Sequence, residues 1–166
     1  MNLSPVFLMQ LKNTVERILH VPGNYTGGIL EMAVVLDHNV SREDIKELVP
    51  QVFRSLKMHS EIFRNVRLNM VQWEDDDVIT NQVTPMSMAG LSSYYEDYES
   101  QNRRKDFLKL VQYLKLFQAR SKLIILVTDA ANEEGTPESL KAAMQPFLDK
   151  KLMQIVVGET LEIRYR

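Results

Sequence analysis

Two nearly continuous apolar segments constrain the fold of this chain more than any other feature. The first is Ile29–Leu36 and the second is Leu123–Thr128. Strands that are apolar on both faces are typical of the centre of a parallel sheet, where helices cover both sides. Segments with helical spacing of apolar residues alternate with these strands along the chain. We therefore expect an α/β fold with a doubly wound, mostly parallel open sheet and helices on both faces.

Helical spacing and end signals predict four helices. The first begins at Ser4, which precedes a proline at the first helical position. The second follows Ser41, a suitable N-cap, and contains Pro50, which we expect to kink the helix without ending it. The third is expected at about Arg103 to Gln118, and the fourth begins at Thr136.

The remaining strands are predicted at the edges of the sheet and near the C-terminus. Alternation in Val66–Trp73, an acidic turn at Glu74–Asp77 and a short return strand at Val78–Val83 predict one antiparallel edge hairpin. Leu152–Val157 reads as a further buried strand. Thr160–Tyr165 alternates, which indicates a half-exposed edge strand or an ordered tail.

Composition narrows the class of protein. We expect a single domain over residues 1–166, with residues 1–20 as an extra N-terminal helix. The formal net charge of −2 does not indicate a nucleic-acid partner, and no apolar stretch is long enough to span a membrane. The chain has no cysteine, which excludes disulfides and thiolate chemistry. The N-terminus shows no secretion signal, so we expect a cytoplasmic location.

Polar residues follow both central strands where each strand ends. Asp37, Asn39 and Ser41 come after the first strand, and Asp129 comes after the second. In an open α/β sheet, ligands bind beyond the carboxyl ends of the strands. Carboxylate, amide and hydroxyl oxygens suit a hard cation such as Mg²⁺, which keeps several bound waters. We predict that Asp37 and Asp129 lie side by side and that these four residues bind Mg²⁺ or Mn²⁺.

These motifs resemble the von Willebrand factor type A domain, a metal-dependent adhesion fold. That family has an Asp-x-Ser-x-Ser loop after its first strand and an aspartate, usually in Thr-Asp-Gly, after its fourth. The chain has Asp37-His38-Asn39-Val40-Ser41 and Thr128-Asp129-Ala130 at these places, and the resemblance covers roughly residues 29–158. It implies a protein-binding module in which an acidic side chain of the partner completes the metal shell.

The chain departs from the family pattern at several points. Asn39 replaces a serine and Ala130 replaces the usual glycine. The loop that supplies a threonine ligand before the third helix has no clear match, and Ser92, Ser93 and Ser100 are the candidate substitutes. The chain ends without the family's final helix. We expect the N-terminal helix to cover the sheet face that the final helix would occupy.

Two alternative functions remain open. A haloacid-dehalogenase-like phosphatase would use Asp37 as nucleophile and Asp129 with Glu133 or Glu134 as magnesium ligands. Asn39 cannot act as the general acid of such an enzyme, because an amide does not titrate usefully. The sequence also shows no lysine at an evident position to balance phosphate charge. The second alternative is a degenerate scaffold of the same fold that binds partners without metal.

Each candidate residue also has a structural explanation. Asp37 can favour the positive end of the following helix, and Ser41 can be only a cap. We expect His38 to be a loop residue, and His20 and His59 to be ordinary residues near helix ends. A last group of aromatic and methionine side chains forms either an interaction surface or a cover over the core: Met86, Met88, Tyr94, Tyr95 and Tyr98.

Overall fold

The structure, a computed structural model, describes residues 3–20, 29–89, 98–103, 105–118, 120–129 and 152–165. Within these ranges the helices are α1 (Pro5–His20), α2 (Arg42–Ser60) and α3 (Phe107–Gln118). The strands are β1 (Ile29–Asp37), β2 (Asn65–Asp75), β3 (Val78–Pro85), β4 (Ser121–Thr128), β5 (Leu152–Val157) and β6 (Leu161–Tyr165). A short 3₁₀ helix spans Met86–Met88. The predicted helix at Thr136 and the loop with Glu133 and Glu134 lie outside the described residues.

The strands form one mixed sheet in the order β3-β2-β1-β4-β5-β6. The four central strands β2, β1, β4 and β5 run parallel. The predicted hairpin is confirmed, because β3 pairs antiparallel with β2 at one edge. β6 pairs antiparallel with β5 at the other edge, so the prediction of one antiparallel hairpin understated the mixed character of the sheet.

The sheet carries a hydrophobic core on each face. Alternate residues of β1 point to opposite sides, so Leu30, Met32 and Val34 join one core while Ala33 and Val35 join the other. The first core contains the buried faces of α1 and α2, and the second contains that of α3. The prediction of an α/β fold with helices on both faces is confirmed for the described residues.

The N-terminal helix packs on the sheet. α1 contacts α2, β4 and β6, and its buried side chains repeat at helical spacing. These buried residues are Phe7, Leu11, Val15, Ile18 and Leu19. Ser4 Oγ accepts a hydrogen bond of 3.1 Å from the Phe7 amide, which satisfies one of the unpaired donors at the start of the helix. The expectation that the N-terminal helix packs on the sheet is therefore confirmed.

Helix α2 begins at the predicted N-cap and does not end at Pro50. Ser41 is extended, and its Oγ accepts a 3.2 Å hydrogen bond from the Asp44 amide, which makes it the N-cap. The helix runs through Pro50 to Ser60 without a break. The exposed position of Pro50 leaves the buried stripe of α2 intact.

Helix α3 begins later than predicted. Its first residue is Phe107, because the Asp106 carboxylate accepts a 2.9 Å hydrogen bond from the Leu108 amide and so caps the helix. Arg103 and Lys105 lie outside the helix instead, in the loop at the end of the sheet. No helix in the described parts of the chain is long and apolar enough to cross a membrane.

Candidate functional site

The predicted motif that begins at Asp37 and the predicted motif that begins at Thr128 meet at one rim of the sheet. β1 and β4 are parallel neighbours, and Leu36 lies opposite Val127. The next residues, Asp37 and Thr128, therefore leave the two strands together, and Thr128 Oγ1 donates a 2.6 Å hydrogen bond to Asp37 Oδ2. Asp129 follows immediately. The predicted proximity of the two motifs is thus confirmed, even though they are some ninety residues apart.

The Asp37 carboxylate is completely buried at this rim. In addition to Thr128, its Oδ1 accepts a 2.9 Å hydrogen bond from the Asn39 backbone amide. The same oxygen forms a very close ion pair with the ammonium group of Lys105. Asp37 is therefore a charged group with partners on both oxygens, which is the condition under which a buried carboxylate is stable.

Lys105 lies in the loop before α3, at the same rim, and its side chain has no exposed surface. Its Nζ also donates a 2.8 Å hydrogen bond to the carbonyl oxygen of Trp73, at the end of β2. The same Nζ lies 4.2 Å from the centre of the Trp73 ring, which is within range for a cation–π contact. Lys105 thus connects the ends of β1 and β2, while Thr128 connects β1 to β4.

Asn39 holds the loop before α3 in place. Its amide oxygen accepts a 3.1 Å hydrogen bond from the Arg103 backbone N–H, and its Nδ2 donates a 2.6 Å bond to the Arg103 carbonyl oxygen. The Arg103 guanidinium in turn contacts Asp75 Oδ2 at 2.8 Å. The Asn39 side chain therefore holds the Arg103 backbone through two hydrogen bonds, two residues before Lys105.

Tyr98 contacts the loop that follows β1. It is buried, and its hydroxyl lies 2.9 Å from the Asp37 carbonyl oxygen and 2.5 Å from that of Val40. Burial is the main cause that raises the pKa of Tyr98, and the negative charges of Asp37 and Asp129 raise it further. The phenol consequently stays protonated and serves as a donor to the loop that follows β1.

His38 lies in that loop, as the sequence predicted, and its side chain is buried. Its Nε2 lies 2.7 Å from Gln72 Oε1, and its ring is 4.3 Å from the Tyr98 ring. Its backbone amide donates to the Trp73 carbonyl oxygen at 3.1 Å. These contacts hold the loop against the end of β2.

Of the serines proposed for the third loop, Ser100 is exposed, and Ser92 and Ser93 lie outside the described residues. Tyr94 and Tyr95 lie outside them as well. Met86 and Tyr98 belong to the first core, whereas Met88 is exposed. In the described residues, the side chain that the loop before α3 brings to Asp37 is Lys105, a cationic group.

Sequence reasoning missed Lys105. One signal was present: Asp37 ends a nearly continuous apolar strand, so a buried carboxylate that needs a partner was to be expected there. The run Arg103-Arg104-Lys105 directly before the apolar stripe of α3 contains the cation that meets this need. Helical spacing placed these residues inside the predicted third helix instead.

The predicted metal ligands can be compared with the needs of Mg²⁺ or Mn²⁺. Both ions require a shell of oxygen ligands with room for water. The Asp37 carboxylate already neutralises an ammonium group, the Asn39 amide bonds to the Arg103 backbone, and Ser41 Oγ caps α2. Asp129 is partly exposed. In this arrangement the donor set does not fit such a shell, and the described residues contain no group of three His, Asp or Glu side chains placed to hold a metal.

The chain was also compared with known proteins. No protein-family model, no curated protein and no solved structure matches it. Its function is therefore inferred from the geometry of the site and the surface of the sheet.

Proposed function

We propose that this chain is a protein-binding module of von Willebrand factor A type that binds its partner without a catalytic step. Support for the type comes from the strand order β3-β2-β1-β4-β5-β6 with an antiparallel β3 and from helices on both faces. The pairing of the Asp37 and Thr128-Asp129 motifs at one rim adds to it.

The Asp37 carboxylate at the rim is not accessible to a substrate, which favours a binding function over a catalytic one. A nucleophilic or general-base carboxylate must come within hydrogen-bond reach of its substrate. The Asp37 side chain is completely buried, and Lys105, Thr128 and the Asn39 amide occupy its oxygens. A substrate would have to displace these partners before it could meet the carboxylate.

The observation that carries the proposal is the contrast between the two edges of the sheet. β3 is an edge strand of eight residues, Val78–Pro85, none of which is charged. Val83 on this strand is 56% exposed. At the opposite edge β6 is five residues long and carries Glu162 and Arg164. Charged residues and a short length commonly protect an edge strand from pairing with another strand. β3 has no charged residue and is longer than β6.

An edge of this kind binds an extended segment of another protein as an additional strand. In an antiparallel pair, alternate residues direct their backbone N–H and C=O groups away from the neighbouring strand, so these groups of β3 are available for a partner. Main-chain hydrogen bonds provide affinity, and alternate side chains provide specificity. The partner segment is expected to be uncharged and rich in β-forming residues, because β3 offers no counter-charge to a charged strand.

The test is selection of peptides from a random displayed library against the whole chain, followed by substitution of the edge. Val83→Lys should abolish binding of the selected peptides, since a lysine on an edge strand opposes pairing. Val6→Lys is the matched control, because Val6 is 66% exposed on α1. The expected peptides are uncharged and shift the amide resonances of residues 78–84. Selected peptides whose binding survives Val83→Lys, or a selection that enriches no peptide, would contradict the proposal.

One observation favours the phosphatase as a second candidate. Lys105 and Thr128 both contact Asp37, so the lysine that the sequence did not reveal is present at the carboxylate. Hydrolysis of p-nitrophenyl phosphate in the presence of Mg²⁺ decides between the two functions. Turnover that Asp37→Asn abolishes would support the enzyme. We expect no Asp37-dependent turnover, because the carboxylate is buried.

A further inference from the structure

The surroundings of the Lys105 ammonium group resemble those of a bound cation. Its Nζ contacts a carboxylate oxygen of Asp37, lies 2.8 Å from the Trp73 carbonyl oxygen and faces the Trp73 ring at 4.2 Å. A lysine ammonium group has three N–H donors and no acceptor. The carboxylate, the carbonyl oxygen and the ring face are all negative or electron-rich, so these three neighbours stabilise the positive charge of Nζ.

A divalent ion at Asp37 would compete with this group. Two positive charges a few ångströms apart repel strongly at a buried site, where screening by water is weak. Two further donors already bond to the Asp37 carboxylate, since Thr128 Oγ1 donates to Oδ2 and the Asn39 amide donates to Oδ1. The position at which the sequence predicted a metal therefore already contains the charge that Asp37 requires.

We propose that the Lys105 ammonium group is the resident cation of this rim and takes the structural place of a divalent metal. It joins the ends of β1 and β2 through Asp37 and Trp73, and Thr128 extends the connection to β4. The rim is then assembled without metal, and neither chelators nor divalent ions change its stability. This assignment is independent of partner binding at the β3 edge.

The single tryptophan of the chain makes the first test specific, because Trp73 lies directly against Nζ. The wild-type protein is treated with EDTA and then titrated with Mg²⁺ or Mn²⁺ to millimolar concentration. Neither the melting temperature nor the Trp73 emission should change. A saturable rise in melting temperature, or saturable quenching by Mn²⁺, that Asp37→Asn removes would overturn the proposal, since a ligand of the native state stabilises it by mass action.

A second test uses the native protein and requires no variant. Acetylation with an amine-directed reagent in EDTA, followed by peptide mass spectrometry, measures the access to each lysine. Lys109 on α3 is the internal control, because about half of its side chain is exposed. Lys109 should be modified, and Lys105 should remain unmodified while the protein is folded. Modification of Lys105 at a rate close to that of Lys109 would show that the ammonium group does not occupy the site.

Substitution shows whether the buried Lys105–Asp37 pair contributes more to the melting temperature than an exposed ion pair does. Lys105→Met leaves the Asp37 carboxylate buried without its cation, and should lower the melting temperature by roughly 10 °C. Lys109→Met should leave it nearly unchanged. Equal melting temperatures for the wild type and Lys105→Met in EDTA would contradict the proposal.

Discussion

The Lys105 ammonium group and the Asp37 carboxylate form an ion pair in which both side chains are fully shielded from solvent. The two residues are separated by 68 positions, since Asp37 is the last residue of β1 and Lys105 lies in the loop before α3. Because a buried charge without a partner is costly, each residue depends on the other. Substitution of either residue should therefore destabilise the rim of the sheet.

The first prediction concerns the coupling between these two residues. Lys105→Met and Asp37→Asn should each lower the free energy of unfolding, Lys105→Met by about 3–5 kcal/mol because it leaves a buried charge unpaired. The double variant should lose less than the sum of the two single losses, since it removes both charges together. Urea denaturation of all four proteins measures this coupling. Additive losses would mean that the two side chains do not interact.

The second prediction concerns Ser41, which was considered both as a cap and as a metal ligand. Ser41→Ala should lower the free energy of unfolding by about 0.5–2 kcal/mol, because α2 loses its N-cap. Ser41→Asp should retain most of the stability, since aspartate is also a good N-cap. The loss should be the same in EDTA and in Mg²⁺ when measured by thermal unfolding. A loss found only in Mg²⁺ would indicate that Ser41 binds metal.

The third prediction concerns the Tyr98 hydroxyl. Tyr98→Phe removes the donor shared by the carbonyl oxygens of Asp37 and Val40. The free energy of unfolding should fall by about 1–3 kcal/mol, because buried polar groups lose their partner while the ring still fills its place. Hydrogen exchange of the amides in residues 37–41 should become faster in the variant. Unchanged exchange there would show that Tyr98 does not hold this loop.

The fourth prediction concerns pH. Burial is the main cause that lowers the pKa of His59 below 6.5, while Glu16 raises it and His20 and Lys12 lower it. The unfolded chain therefore binds a proton more readily than the folded protein. The stability that the neutral His59 contributes is present above about pH 6.5 and falls as the pH drops through the lower, folded-state pKa.

Urea denaturation between pH 5 and pH 8 tests this dependence. His59→Gln should reduce the loss of stability at acidic pH, because the substituted side chain does not titrate there. His20→Gln should retain most of the loss, since burial and not His20 is the largest cause of the shift. The same acidic slope in the wild type and in His59→Gln would assign the effect to other groups.

The central part of the fold was predictable from sequence because it depends on local pattern. The apolar run of β1 required cover on both faces, and helical spacing supplied the helices that provide it. Parallel neighbouring strands end at the same rim, so the meeting of Asp37 with the Thr128-Asp129 motif followed from the class of sheet. Cap residues set the start of α2 correctly for the same local reason.

The rest of the site depends on contacts that no local pattern contains. Asn39 holds the backbone of Arg103 close to the position from which Lys105 reaches Asp37, and Asp106 then caps α3. Helical spacing alone extended α3 back over these residues. The antiparallel pairing of β6 was similarly undetermined, because an alternating segment fits both an edge strand and a tail.

The placement of α1 has a consequence for folding during synthesis. Helix α1 precedes every described strand along the sequence, yet part of its buried face rests on β4 and on β6. Helix α2 can shield some of this apolar surface early, but the remainder stays open until residues 161–165 have left the ribosome. A nascent chain stalled before residue 161 should therefore be a target for chaperones that recognise apolar helices.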